Sequence, residues 1–223
     1  HQVGDGRKRR SGQERMNLAQ SLFALGGAAA LIDWIAVART NKFLEYVFKP
    51  AALLFLLLSA TAAPDGPGKS WVIAALALSL IGDVALMLPA DLFIAGLGSF
   101  LLAHLAFIIG FASIAYHPRT VLIAIPLLVM VGVGVARPVF RALRQGDRPL
   151  MLPVGIYIAA IIAMAATAIG THDILLGMGA LLFMASDSLI AHDRFVRSRT
   201  WQSLTIIATY HLAQMAFVAS VIR

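Results

Sequence analysis

Eight stretches of this chain are apolar over about 20 residues each, and that single feature decides what it can fold into. Twenty residues of helix rise about 30 Å, the thickness of a bilayer's hydrocarbon core. The stretches are 18–38, 44–63, 71–89, 93–116, 120–140, 150–169, 172–192 and 200–222. In hydrocarbon every backbone N–H and C=O needs a partner within the protein, so each stretch is predicted to be a helix. The expected fold is an all-α, polytopic membrane helix bundle with eight transmembrane helices. Charged residues make up 13% of the chain, about half the share in a soluble domain, so the outer surface of such a bundle must face lipid. An integral multi-pass protein follows, in the inner membrane if the cell is bacterial.

The breaks between stretches suit this reading. "APDGPGKS" is rich in Pro and Gly, "LPADL" and "IGTHD" are short turns, and "RALRQGDRP" is polar. The fifth stretch is the least regular, interrupted by Pro126 and ending near Pro138. Residues 1–17, "HQVGDGRKRRSGQERMN", form a basic tail that is expected to be disordered and is set apart from the single membrane domain at 18–223. The first apolar run leads into a full-length span, so no cleavable signal is read there. Cysteine is absent, which excludes disulfides, thiolate catalysis and cysteine metal sites.

The net charge of +7 sits mostly in the tail and in short loops, a membrane pattern that gives no support to a nucleic-acid partner. Eight spans place both termini on one face. The loops of the other face carry Arg39, Lys42, Lys49, Arg137, Arg141, Arg144, Arg148, Arg194, Arg197 and Arg199. The terminal face, tail aside, carries Lys69, Arg119 and Arg223. That imbalance favours a cytoplasmic position for the more basic face.

Charges inside such helices are costly, at about 2.5–3.5 kcal/mol even on lenient insertion scales, and mark function by default. Asp83 lies in "SLIGDVALML" and Asp187 in "LFMASDSLIA", each roughly 7–9 Å below the same face on helices running the same way. The two segments echo one another, which suggests a parallel internal duplication. Two carboxylates near each other in low dielectric do not both ionise cheaply, so one is expected to carry a proton beside a charged partner. His104, about 17 Å deep, and Tyr210 and Gln214, spaced i, i+4, would lie below them in a polar cavity open to one leaflet.

Several polar residues fit two roles at this stage. Lys49, beside Pro50, is either an interfacial lysine or a partner for a phosphate or carboxylate. Arg194 is either an interfacial anchor or a phosphate ligand. Tyr157 joins the candidates as a buried hydroxyl. Asp33, before Trp34, reads as structural. His104, His211, Asp83 and Asp187 would be the ligands of any metal, but no HxxxH pair occurs, so neither a metal nor another cofactor is expected.

The order of motifs carries a resemblance. Lys49–Pro50 is followed by Gly82–Asp83, then "FIAGLGSFLLAHLAF" at 93–107, "GALLFMASDSLIAHDRF" at 179–195 and "YHLAQ" at 210–214. This series resembles the YhhN family of eight-span membrane proteins, over most of the chain from the second helix to the eighth. Phe107, where tyrosine is common, and Asp193, where asparagine is frequent, depart from it. The resemblance implies hydrolysis of the vinyl-ether bond of a lysoplasmalogen, releasing a fatty aldehyde and the glycerophospho-alcohol. Asp83 and Asp187 would then act as paired acid and base. Lys49, His104, Tyr157, Tyr210, Gln214 and Arg194 would bind or orient the lysophospholipid. A transporter or proton-coupled carrier is the rival class, and a hydrolase of another lyso-lipid the nearer alternative.

Overall fold

The protein is described from a computed structural model, which covers residues 2–88 and 92–223, with the side chains of 2–10 left aside. Eight long helices account for all its regular structure apart from one short 3-10 turn at Arg148–Leu150 among the described residues. They are α1 (Gln2–Ala38), α2 (Lys42–Ala62), α3 (Lys69–Met87), α4 (Phe93–Ile114), α5 (Pro118–Gln145), α6 (Met151–Gly170), α7 (Ile174–Phe195) and α8 (Thr200–Val221). Each is long and apolar enough to cross a membrane, so the chain is an integral multi-pass membrane protein. Leu122, Ile123, Leu127 and Met130 of α5 are exposed, as lipid-facing side chains must be.

Two boundaries differ from the sequence reading. α1 starts well before residue 18, continuing as helix through the tail that was expected to be disordered. Arg15 in that segment reaches across to the end of α2, its guanidinium donating to the Ala63 carbonyl at 3.2 Å. α5 does not stop near Pro138 but runs to Gln145. Proline removes one i→i−4 bond, a loss that neighbouring helices can absorb in a membrane bundle.

The ends are built from local chemistry. Asn41 caps α2 by accepting from the Leu44 amide, and Asp173 caps α7 by accepting from the Leu175 amide. The last carbonyls of α2, at Thr61 and Ala63, accept from the Lys69 ammonium, a cation placed at the negative end of the helix dipole. Lys69 also bonds Asp65 and holds that exposed carboxyl below the usual carboxylate range. Gly68 occupies the left-handed region at φ 73°, where a Cβ would run into the Gly110 carbonyl.

The bundle is made of four hairpins, α1–α2, α3–α4, α5–α6 and α7–α8, with α4 packed on α6 and α8 on α2. That pairing is the one a repeated four-helix unit would produce. It is not symmetric throughout: α1 packs on α8, whereas its counterpart α5 packs on α6 and α7 rather than extensively on α4. Toward the terminal face the interior is aromatic. Phe107 and Phe111 pack on Phe217 at centroid distances of 4.6 and 5.1 Å, and Gly179 lets the Phe217 ring approach α7. The buried polar side chains that follow lie toward the opposite face.

Candidate functional site

Asp83 and Asp187 are each held by a tyrosine from another helix. Asp83, four residues before the end of α3, accepts a 2.6 Å bond from the Tyr210 hydroxyl of α8. Its other oxygen lies 3.4 Å from the Lys49 ammonium of α2. Asp187, eight residues before the end of α7, accepts a short bond from the Tyr157 hydroxyl of α6. His104 of α4 faces the same carboxylate oxygen, with Nε2 3.7 Å away. Asp83 is almost wholly buried, and the Asp187 side chain is 10% exposed. Among the described residues the two carboxylates share no hydrogen bond with each other.

The His104 ring fixes where a proton can sit. Its Nδ1 lies 2.6 Å from the Phe100 carbonyl, which can only accept, so Nδ1 carries hydrogen. A neutral His104 then points a lone pair from Nε2 toward Asp187. The two atoms are 3.7 Å apart and share no hydrogen bond, and the same carboxylate oxygen accepts from Tyr157.

Phenylalanine rings divide the two acids. Phe100 packs edge-on against both Phe183 and Tyr210, and Phe183 packs against His104 and Tyr210. Gly82, next to Asp83, leaves room for this arrangement: a Cβ there would stand 2.7 Å from the Phe100 ring. Gly82→Ala is therefore expected to cost about 1–3 kcal/mol by overpacking, measured as a lower unfolding temperature in detergent. An unchanged temperature would mean that Phe100 has room to move.

A cavity of about 70 Å³ lies against Asp187. Its walls are helical stripes: Phe93, Leu97 and Phe100 on α4; Gly132, Val135, Ala136 and Val139 on α5; Val154, Tyr157, Ile158 and Ile161 on α6. α7 closes it with Met184, Asp187, Ser188 and Ala191, and the space lies between α4 and α5, where those helices fail to pack. This corrects the expected picture of a polar cavity with acids at the rim and His, Tyr and Gln below. The cavity is apolar, and only Asp187, Tyr157 and Ser188 give it polar side chains. Asp83, Tyr210, His104 and Gln214 do not line it and are buried in the bundle. Gln214 is buried with neither amide atom hydrogen-bonded. Lys49 is directed at Asp83. Arg194 does not line this cavity; its guanidinium lies 5.1 Å above the ring of Phe93, which does.

Sequence reasoning named Asp33, Trp34 and His211 but did not join them into the second polar group that lies near Asp83. The Trp34 indole of α1 donates to His211 Nδ1 at 3.1 Å, and the rings stack. Asp33, beside Trp34, is fully buried with both oxygens unpartnered and lies within electrostatic reach of Lys49, Glu45 and Asp83. One signal could have drawn attention to His211: His104–Leu105–Ala106 and His211–Leu212–Ala213 repeat the same tripeptide on the central helices α4 and α8. Among the described residues no group of three or more potential metal ligands gathers.

A polytopic helix bundle with buried, tyrosine-held carboxylates beside an apolar cavity is the class of protein these features define. The chain belongs to the YhhN family, whose model matches residues 44–221. It is 33% identical over 186 residues to a lysoplasmalogenase of Mycobacterium tuberculosis, covering 80% of this chain and 70% of that protein. It is 30% identical over 162 residues to human lysoplasmalogenase TMEM86B, covering 72% and 67%. Over 90 residues it is 39% identical to the uncharacterized membrane protein YhhN of Escherichia coli O157:H7, covering 39% and 43%. No solved structure matches the chain.

Proposed function

We propose that this protein hydrolyses the vinyl-ether bond of a lysoplasmalogen, giving a fatty aldehyde and a glycerophospho-alcohol. Relatives named lysoplasmalogenase, at 30–33% identity over most of the chain, support the reaction class. The observation that carries the reading is an apolar cavity that ends on one carboxyl group, Asp187, placed against Tyr157 and His104.

The chemistry follows from the bond. A vinyl ether breaks once the alkene carbon not bonded to oxygen takes a proton, leaving an oxocarbenium ion. Asp187 lines the cavity, and on this reading it is the acid. Asp83, beside Lys49, is the second carboxyl, and as a carboxylate behind the Phe100 ring it favours the cation. Water adds to the oxocarbenium carbon and returns its proton to the Asp187 carboxylate. The hemiacetal hydroxyl then gives up its proton as the alcohol oxygen gains one, and the carbon–oxygen bond breaks. No proton is consumed overall, so one group acts as acid and then as base. Tyr157 and His104 orient Asp187, Tyr210 and Lys49 hold Asp83, and Arg194, beside Phe93, takes the phosphate.

The test is to incubate purified protein with lysophospholipids with and without the vinyl ether, and to assay aldehyde by mass spectrometry. Aldehyde is expected from the vinyl-ether members alone. An intact vinyl ether would refute the reaction, and uptake of substrate into proteoliposomes without aldehyde would identify a carrier instead.

A further inference from the structure

The end of α5 is helical where the sequence suggests a polar break, and this gathers arginines that a loop would scatter. Arg137, Arg141 and Arg144 recur at intervals of four and three, which places them on one face of α5. All three are exposed, and so is Arg148, whose Nε donates to the Arg144 carbonyl at 3.0 Å and ties the next turn back to the helix. Among the described residues the side chains of Arg137, Arg141 and Arg144 have no ion-pair or hydrogen-bond partner, and Asp147 forms no ion pair with them. The opposite face of the helix carries Gly132, Val139 and Leu143, all buried, and Gly132 and Val139 belong to the cavity wall. At 3.6 residues per turn the arginines stand roughly 150° round the helix from that wall, so they are not part of the site around Asp187. Toward the membrane interior the arginine face continues through Met130 and Ile123, seven residues apart and each 68% exposed. Lipid tails must cover these two side chains, and the arginines begin about 10 Å further along, where tails give way to head groups. Of the eight spans, α5 buries the smallest share of its apolar stretch against the protein.

We propose that this face binds an anionic phospholipid, its tails along Ile123 and Met130 and its phosphate held by Arg137, Arg141 and Arg144. Three guanidiniums without an acid among them call for a head group of net negative charge. A choline or ethanolamine head group would bring a cation of its own into the same field. A free phosphate would meet the arginines but not the apolar stripe that runs on from them. The site is separate from the proposed reaction and stands whether or not the protein hydrolyses a vinyl ether.

The lack of native cysteine makes a local test possible, since one introduced cysteine carries the only label. Met130→Cys is labelled with a fluorophore in phosphatidylcholine vesicles, and quenching by tail-brominated phosphatidylglycerol is compared with quenching by tail-brominated phosphatidylcholine. Leu102→Cys is the control, a position 53% exposed on α4, a helix without arginine. At position 130 phosphatidylglycerol is expected to bind about ten-fold or more tightly than phosphatidylcholine, and at position 102 about equally. One arginine near an anionic surface contributes about five-fold in affinity. Arg141→Gln should therefore lower the preference about five-fold, and the triple variant Arg137→Gln/Arg141→Gln/Arg144→Gln should remove it. Unchanged quenching by phosphatidylcholine shows that a variant is folded, and should the triple variant fail to fold, Arg141→Gln decides. Equal quenching by the two lipids at position 130, the same preference at position 102, or a preference that survives these substitutions would each overturn the assignment. So would its loss to inorganic phosphate at constant ionic strength, which would make the ligand a soluble anion.

Discussion

Asp187→Asn should reduce aldehyde release to background, a loss of about a hundred- to ten-thousand-fold for removal of a positioned acid. The amide keeps the volume of the carboxyl and can still accept the Tyr157 hydroxyl bond. What it lacks is a proton acidic enough to transfer to carbon. The protein should therefore remain folded, as shown by elution volume and helical circular dichroism in detergent. Asp83→Asn should also abolish turnover, for a different reason: it removes the negative charge that lies behind Phe100. It should lower stability too, because Lys49 then faces no carboxylate. Near-normal turnover in either variant would end the division of labour between the two aspartates. Turnover lost in Asp187→Asn but retained in Asp83→Asn would leave a single-acid enzyme.

The largest stability effect should come from Lys49→Met. It leaves Asp83, with a side chain only 3% exposed, without its cation. Breaking a buried ion pair from one side costs about 3–5 kcal/mol. The loss here should fall near the lower end, because Lys49 keeps 17% exposure and the Tyr210 bond to Asp83 remains. The double variant Lys49→Met/Asp83→Leu should recover most of that loss, since two apolar side chains replace two charges. Thermal unfolding in detergent measures both. A single variant as stable as the wild type would mean that Asp83 does not depend on Lys49 for its charge. A double variant no better than the single one would place the damage in packing.

The eight spans were legible because each is an independent local fact. Twenty apolar residues must be helical in hydrocarbon whatever their neighbours do, and Pro, Gly and charge mark where each helix stops. The two aspartates were legible for a related reason: an acid in such a run is too costly to be accidental. Helix direction alone put Asp83 and Asp187 toward the same face. In α1 and α5 the helix persists past a signal that usually ends one. A basic composition suggests disorder but does not forbid helix, and Pro138 costs α5 one hydrogen bond without stopping it.

Partners were another matter. Nothing local ties Tyr210 to Asp83 across 127 residues, or Trp34 to His211 across 177. These pairs depend on the rotation of each helix about its own axis, which is set by ridge-and-groove packing over its whole length. The character of the cavity was hidden for the same reason. Polar residues at matching depth suggested a polar chamber, but depth says nothing of which way a side chain turns. Packing turned Phe100 and Phe183 inward between the acids and held α5 away from α4, leaving apolar space against Asp187. Hydropathy determined that this chain crosses a membrane eight times and buries two carboxylates toward one face, because transfer to lipid is settled residue by residue. Which carboxylate meets a substrate was decided only by the tertiary structure, because it depends on the helices taken together.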